Sequence, residues 1–209
     1  EDVGVTYSTL MGHYLSDISD INLVIYGKQN YWNLMKYMEI APHPKLRWKT
    51  KNEWLEFRKK RNRSIFFTEE EFLHSMLRKK SEGYFGNSLF VIFCAEKENE
   101  VWFKWGKEKY TQKGFVKIRG EVIDNSSSVV RPGFYEIINS EILQGLKVPV
   151  KKIVFYSREY SMIAYPGEKI ESCGILEEVQ PENEEKYYRV VTGYFDSYIT
   201  ERREKEYIK

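Results

Sequence analysis

The chain has 209 residues, of which 31% are charged and 42% hydrophobic, and its net charge is +2. This composition is typical of a soluble globular protein with enough chain for one large domain or two small ones. Apolar runs fall short of the roughly 18 residues that a membrane helix needs, and we recognise no signal peptide. We therefore expect a cytoplasmic protein with no membrane partner. The sequence begins at Glu1, and we expect its natural N-terminal residues to be missing.

Strand and helix patterns alternate in the first 40 residues. Residues 2–7 predict a short strand, and Ser8 is placed to cap a short helix after it. Residues 20–26 predict a buried strand that ends at Gly27, and residues 29–38 then predict a helix. This alternation indicates a mixed sheet with helices.

Two polar side chains open the strand at residues 20–26. Asp20 and Asn22 are two residues apart, so both side chains lie on the same face of a strand. A polar pair at the start of an apolar strand is costly unless it is paired. It indicates either a turn or capping role, or a metal or phosphate site.

The next segment is rich in basic residues and contains two predicted helices. A helix over residues 51–61 has an apolar stripe and a cationic flank, and Thr68-x-x-Glu71 is a capping box for a second helix that Lys79-Lys80 with Gly83 ends. Residues 45–80 hold twelve basic and five acidic residues, a local charge of +7. Such an excess suits nucleic acid or a nucleotide triphosphate, although a solvated helix face has the same composition. The candidate nucleic-acid-binding residues are Arg47, Lys49, Arg58, Lys59, Lys60, Arg61 and Arg63.

Short strand patterns dominate the chain after an apolar strand at residues 88–95. The predicted strands are 101–105, 113–124, 133–138, 150–157, 168–178 and 186–194, with one candidate helical turn at 140–146. We therefore predict an α+β protein with a mixed first domain over 1–100. An all-β second domain covers 101–199, and a charged tail covers 200–209.

The start of the chain resembles the nucleotidyltransferase superfamily related to DNA polymerase β. The similar residues are Gly4-Val5-Thr6-Tyr7-Ser8 and Ser19-Asp20-Ile21-Asn22-Leu23-Val24-Ile25-Tyr26-Gly27, and the closer match is an archaeal group of predicted nucleotidyltransferases. In this superfamily a Gly-Ser turn holds the triphosphate, and an Asp-x-Asp pair on the next strand holds divalent metal. The resemblance implies phosphate binding by Ser8 and Thr9 and a catalytic Asp20. It also implies Mg²⁺ held by Asp20 and Asn22.

Two residues depart from the superfamily pattern. Tyr7 stands where the Gly would be, and Asn22 stands where the second carboxylate would be. Glycine lets the backbone approach a phosphate closely, and Mg²⁺ in a two-metal site is normally bridged by carboxylates. A third carboxylate is also expected; the strand at 88–95 has none, and Glu121 is our candidate, with Asp124 as the alternative. These departures predict weak or absent metal-dependent transfer.

The second half of the chain resembles an OB-type barrel. The residues that carry this resemblance are the strand patterns at 115–124 and 166–176, in which Gly120 and Gly174 stand where a coiled strand bends. An OB fold stacks single-stranded bases on aromatic rings beside cations. The candidate residues are Tyr156, Arg158, Tyr160, Tyr187, Tyr188 and Arg189, which could equally be core and rim residues of the barrel.

Three functions are compatible with these patterns. The first is metal-dependent nucleotidyl transfer onto nucleic acid or a small acceptor, with a site that has partly degenerated. The second is nucleic-acid binding without catalysis, through the basic segment and the barrel. The third is an assembly subunit without a ligand. The abundance of Lys, Glu, Ile and Tyr resembles the composition of a thermophile's protein.

Overall fold

Helices and strands alternate in the first half of the chain, and strands dominate the second half. The computed structural model describes residues 2–15, 19–60, 68–103, 106–193 and 197–202. The chain divides into two units, Glu1–Val101 and Trp102–Lys209. The α+β class predicted from the sequence is confirmed. Among the described residues, no helix is both long and apolar enough to cross a membrane.

Within the described residues, the first unit consists of a five-stranded mixed sheet and four α-helices. Its strands lie in the order β1-β2-β5-β4-β3; β2 and β5 are parallel, and the other neighbours are antiparallel. The strands are β1 (Val3–Thr6), β2 (Ile21–Tyr26), β3 (Leu46–Trp48), β4 (Glu82–Phe85) and β5 (Ser88–Ala95). The helices are α1 (Tyr7–Leu10), α2 (Lys28–Ile40), α3 (Lys51–Lys60) and α4 (Glu69–Lys79).

Helices α3 and α4 share a small apolar cluster. Trp54 of α3 packs with Phe72, Leu73 and Met76 of α4, all buried. The predicted capping box of α4 is confirmed, because Thr68 and Glu71 exchange hydrogen bonds. The predicted end at Lys79-Lys80 is confirmed, but the part predicted for Gly83 is wrong. Lys80 ends α4 in a left-handed conformation, and Gly83 lies in β4.

The second unit is a closed ring of strands. Pairings run β10-β8-β7-β6-β9, and β9 pairs again with β10, so five strands close on themselves. Strands β8 and β10 are parallel, whereas the other neighbours are antiparallel, and β11 pairs with β9 beyond the ring. The strands are β6 (Glu108–Asp124), β7 (Gly133–Gln144), β8 (Val150–Phe155), β9 (Lys169–Pro181), β10 (Tyr187–Thr192) and β11 (Tyr198–Arg202).

Alternation along the strands fills the inside of this ring. Every second residue of β6 from Val116 to Val122 is buried, as period-two alternation requires. Gly174 of β9 has a direct reason to be glycine, because a Cβ there would collide with the backbone carbonyl of Val191. The largest fully buried side chains of the unit are Tyr135, Phe155, Ile118, Ile153, Ile163, Ile170, Leu176 and Ile199.

Two local predictions for this half of the chain are wrong. The helical turn predicted at 140–146 does not form, because residues 140–144 continue β7 and pair with β6. Residues 101–103 are not in a strand, and residues 104–105 lie outside the described part of the chain.

Candidate functional site

The two polar side chains at the start of β2 are hydrogen-bonded to each other. Asn22 is 5% exposed, and its amide nitrogen donates a hydrogen bond of 2.9 Å to Oδ1 of half-buried Asp20. An amide nitrogen facing a carboxylate is the favourable orientation, since the amide oxygen would be repelled. A carboxylate at position 22 would share a bound cation with Asp20. Asn22 instead donates a hydrogen bond to Asp20.

The register of the sheet identifies a further acidic residue on the same face. Asn22 pairs with Thr6 on one side and with Val91 on the other, and Val91 pairs with Glu82. Residues paired across adjacent strands point to the same face, so these four side chains form one row. At about 4.8 Å per strand, the Cα atoms of Asn22 and Glu82 are roughly 10 Å apart. The sequence alone offered no signal for Glu82, because it did not reveal which strands are neighbours.

Glu82 already has a cation. Lys49, which follows β3, forms an ion pair with Glu82, and both residues are buried, at 8% and 5% exposure. The Lys49 ammonium also lies 4.8 Å and 5.1 Å from the ring centroids of Trp54 and Phe57. A carboxylate neutralised by a buried lysine is poorly suited to bind a metal ion.

The turn that carries Ser8 and Thr9 begins with a strained residue. Tyr7 has φ +56°, the left-handed region that favours glycine, and its ring contacts that of Phe93 with centroids 5.9 Å apart. Ser8 and Thr9 are half-buried in α1, a helix of only four residues. Thr9 Oγ1 is buried and makes no hydrogen bond within the described residues.

The candidate metal ligands are divided between the two units. Asp20 and Asn22 belong to the first unit, whereas Glu121 lies in β6 of the second, paired with Ile138 and Lys169. Throughout the described residues, no group of three or more His, Cys, Asp and Glu side chains could hold a metal ion. The strand beside β2 presents Val91 and Phe93 where a third acid would be needed.

Several cations of the basic segment are committed to neighbouring side chains. Arg47 makes two hydrogen bonds to Glu53, of 2.9 Å and 3.0 Å, and lies 3.9 Å from the centroid of the Tyr84 ring. The Arg47 guanidinium is the main reason that the pKa of Glu53 falls to about 2. Lys49 is buried, as described above. Half-buried Arg58 lies 5.8 Å from the Phe72 ring centroid.

Two members of the basic set are accessible at the end of α3. Lys59 and Lys60 are both exposed and belong to its last turn, where cations are also favoured by the helix dipole. The remaining predicted residues, Arg61 and Arg63, lie outside the described part of the chain. In the described part of residues 45–80, fewer cations are therefore available to a ligand than the composition indicates.

Three of the six predicted stacking residues of the second unit have structural roles. Tyr160 is 5% exposed, its hydroxyl donates to the carbonyl of Ser197 at 3.2 Å, and burial raises its pKa. Arg189 is equally buried and is paired with Glu177 at 2.9 Å. The hydroxyl of Tyr188 donates to Glu178 at 2.9 Å. These three residues therefore stabilise the barrel.

The other predicted stacking residues are more accessible. Tyr156 is 48% exposed and Arg158 is half-buried. Tyr187 is half-buried, and burial is the main cause that raises its pKa to about 12. Tyr156 is the aromatic side chain of the predicted set most open to solvent.

Sequence reasoning missed an aromatic cluster around Phe134 in the second unit. The Trp102 ring packs on Phe134 with centroids 4.7 Å apart, and its indole nitrogen donates to the carbonyl of Pro132 at 3.1 Å. Lys152 lies 4.6 Å from the Phe134 centroid and is paired with Glu136 at 3.3 Å. Because the charge of Lys152 is offset by Glu136, this cluster attracts phosphate only weakly.

Comparison with known proteins adds a relative but no activity. The chain is 31% identical over 194 residues to the uncharacterized protein MJ1086 of Methanocaldococcus jannaschii. The match covers 91% of this chain and 54% of that protein, so the chain spans about half the length of the curated relative. No family model and no solved structure matches the chain. The site must therefore be interpreted from its own geometry.

Proposed function

We propose that this protein binds nucleic acid through a nucleotidyltransferase-like unit that has lost metal-dependent transfer, joined to an OB-type barrel. The observation that carries the proposal is the hydrogen bond from the Asn22 amide to Asp20. Through this bond the Asp20 carboxylate accepts a hydrogen from a neighbouring side chain. Transfer chemistry would need a metal ion at that position.

Strand arrangement supports the two fold assignments. In the first unit, β1 leads through a turn with Ser8 and Thr9 to β2, which begins beside Asp20, in the order expected of a nucleotidyltransferase. In the second unit, five strands close into a ring, and an OB fold is a five-stranded Greek-key barrel. Both assignments rest on topology and on the sequence resemblance.

The chemistry of the donor set argues against two-metal catalysis. Two Mg²⁺ ions about 3.5–4 Å apart require several anionic oxygens to hold them and offset their charge. Asp20 supplies one carboxylate, and Asn22 supplies a neutral amide that points its nitrogen at Asp20. Glu82 shares the face but is neutralised by Lys49. These residues do not fit the Mg²⁺ pair, and we derive no transfer step from them.

Exposed cations favour a polyanionic partner for the first unit. Lys59 and Lys60 extend from the end of α3, within the segment that carries a local charge of +7. Binding through such cations would be electrostatic and insensitive to sequence, because phosphates carry no base identity.

Two measurements test the proposal on the whole chain. Anisotropy of a fluorescent single-stranded oligonucleotide, titrated over a range of salt concentrations, should give an affinity that falls linearly on logarithmic axes. Incubation with labelled nucleoside triphosphates, Mg²⁺ and the same oligonucleotide should give no incorporation. Incorporation that disappears in Asp20→Asn would make the protein an active transferase and overturn the proposal. Absence of oligonucleotide binding at low salt would overturn it too.

A further inference from the structure

Tyr7 has an exposed aromatic ring that the protein holds in place at some conformational cost. The side chain is 62% exposed, although its backbone has φ +56°, a conformation that non-glycine residues rarely adopt. The ring is braced by Phe93 of β5, with an angle of 57° between the two ring planes. Strain that is maintained around an exposed side chain indicates a function for that side chain.

Two further apolar side chains extend the surface beside this ring. Leu10 and Met11 follow Tyr7 by three and four residues, the spacing that brings side chains together on one side of a helical turn. They are 63% and 68% exposed. Three side chains are too few for a protein partner, which typically covers about 800 Å² on each side. The surface is of a size that suits a small planar ligand.

The register of the sheet brings a carboxylate to the part of the molecule that carries Tyr7. Thr6, immediately before Tyr7, pairs with Asn22 in the sheet, and Asn22 bonds to Oδ1 of Asp20. A carboxylate accepts several hydrogen bonds, so Asp20 can still accept one from a ligand.

We propose that Tyr7 stacks a nucleobase whose polar edge is bound by Asp20. An aromatic ring near a carboxylate acceptor fits a planar heterocycle with an exocyclic amine, and stacking on a tyrosine ring is a common way to bind a base. A phosphate is disfavoured at this position by the Asp20 carboxylate. The ligand is therefore the base of a nucleoside or of a single strand, and the proposal rests on the proposed nucleic-acid binding.

The test compares Tyr7→Leu with Tyr7→Phe in the full chain. Leu keeps apolar bulk and the unfavourable φ but removes the aromatic face, whereas Phe keeps the face. Loss of one base stack should weaken binding of a short fluorescent oligoadenylate roughly 5- to 150-fold in Tyr7→Leu. Tyr7→Phe should bind within about twofold of the wild-type chain. Adenosine, titrated by calorimetry, tests the base without phosphates.

The outcomes separate this inference from the proposed function. Oligoadenylate bound equally by the wild-type chain and Tyr7→Leu would overturn base stacking and leave nucleic-acid binding intact. Adenosine binding that depends on Tyr7, without binding of the oligonucleotide, would support the base site and overturn nucleic-acid binding. Failure to bind either probe would overturn both. Circular dichroism of each variant establishes that the comparison is made between folded proteins.

Discussion

Asn22 decides the chemistry of the candidate site at the scale of single residues. Asp and Asn differ little in size, but only Asp adds a second negative charge beside Asp20. Two buried carboxylates at hydrogen-bond distance repel each other unless a cation or a proton lies between them. With Asn, the pair carries a single negative charge, the Asp20 carboxylate accepts the 2.9 Å hydrogen bond from the amide, and a metal ion is not needed for stability.

Asn22→Asp should therefore make the stability of the protein depend on divalent metal. Without metal, repulsion from Asp20 and loss of the amide donor should lower the free energy of unfolding by about 1–3 kcal/mol at pH 7. Added Mg²⁺ should recover most of this loss, because it binds the folded state selectively. Urea unfolding in EDTA and in MgCl₂ measures both effects.

Asn22→Leu is the matched control, because it removes the amide without adding charge. Its stability should be independent of Mg²⁺, as should that of the wild-type chain. Equal stabilities of Asn22→Asp and the wild-type chain in EDTA would contradict the described geometry.

Lys49 and Glu82 give a second prediction at this scale. Lys49→Met should lower the free energy of unfolding by about 3–5 kcal/mol, because it removes the cation that neutralises a buried carboxylate. The double variant Lys49→Met with Glu82→Leu should recover most of that loss, since the surroundings of Lys49 include the rings of Trp54 and Phe57. Urea unfolding of both single variants and the double variant measures the coupling. Additive losses would show that the two side chains do not interact.

At the scale of elements, side-chain hydrogen bonds define the starts of helices α3 and α4. Thr68 and Glu71 form the capping box predicted for α4, and Thr50 and Glu53 exchange similar bonds at the start of α3. The sequence Thr50-Lys51-Asn52-Glu53 has the same Thr-x-x-Glu spacing, so this second start was predictable. The additional bond from Arg47 to Glu53 was not, because it joins a strand to a helix.

Acid should weaken α3 through Glu53. Its pKa is near 2 in the folded chain and higher when unfolded, so its contribution is complete above about pH 4.5 and is lost as pH falls toward 2. Arg47→Met should lessen this loss, by about 0.5–1 kcal/mol because the pair is partly exposed and screened by solvent. Denaturant unfolding between pH 5 and pH 2 measures it. Arg47→Lys keeps a cation and should retain part of the pH dependence of stability. Identical pH profiles for the wild-type chain, Arg47→Met and Arg47→Lys would refute the prediction.

Charge is nearly balanced at the scale of the whole molecule. Residues 1–101 contain 15 basic and 14 acidic residues, and residues 102–209 contain 18 and 17. Neither half has the overall excess that steers a protein to a polyanion. Attraction to nucleic acid must therefore come from a local group of cations, and Lys59 and Lys60 are two adjacent exposed members of it.

Replacing both residues with glutamine should reduce the salt dependence of oligonucleotide binding. Each phosphate contact with a single strand contributes about −0.7 to the logarithmic slope, so losing two should reduce the slope by about 1.4. The control is Lys147→Gln, an exposed lysine of the second unit, which should leave the slope unchanged. An unchanged slope in the double variant would exclude Lys59 and Lys60 as phosphate contacts.

The sequence by itself determined the local elements and the polar composition of the site. Period-two and helical patterns located β2, α2, α4 and most strands of the second half, because burial on one face leaves a periodic trace in the sequence. The spacing of Asp20 and Asn22 identifies them as a polar pair on one face of a strand, whereas Ser8 and Tyr7 stand out through the resemblance to the nucleotidyltransferase superfamily. The end of β7 was misassigned, since residues 140–144 are strand because they pair with β6, a contact with no local signature.

Only the tertiary structure decided which of these residues act together. Register brought Glu82 onto the face of Asn22, and packing buried Lys49 beside it, although these residues are far apart in the sequence. The tertiary structure also pairs Arg47 with the Glu53 carboxylate. It buries Tyr160, and it buries Arg189 in an ion pair with Glu177. The physical reason is that charge pairing and burial depend on distance in space, whereas sequence patterns report only which face of an element is apolar.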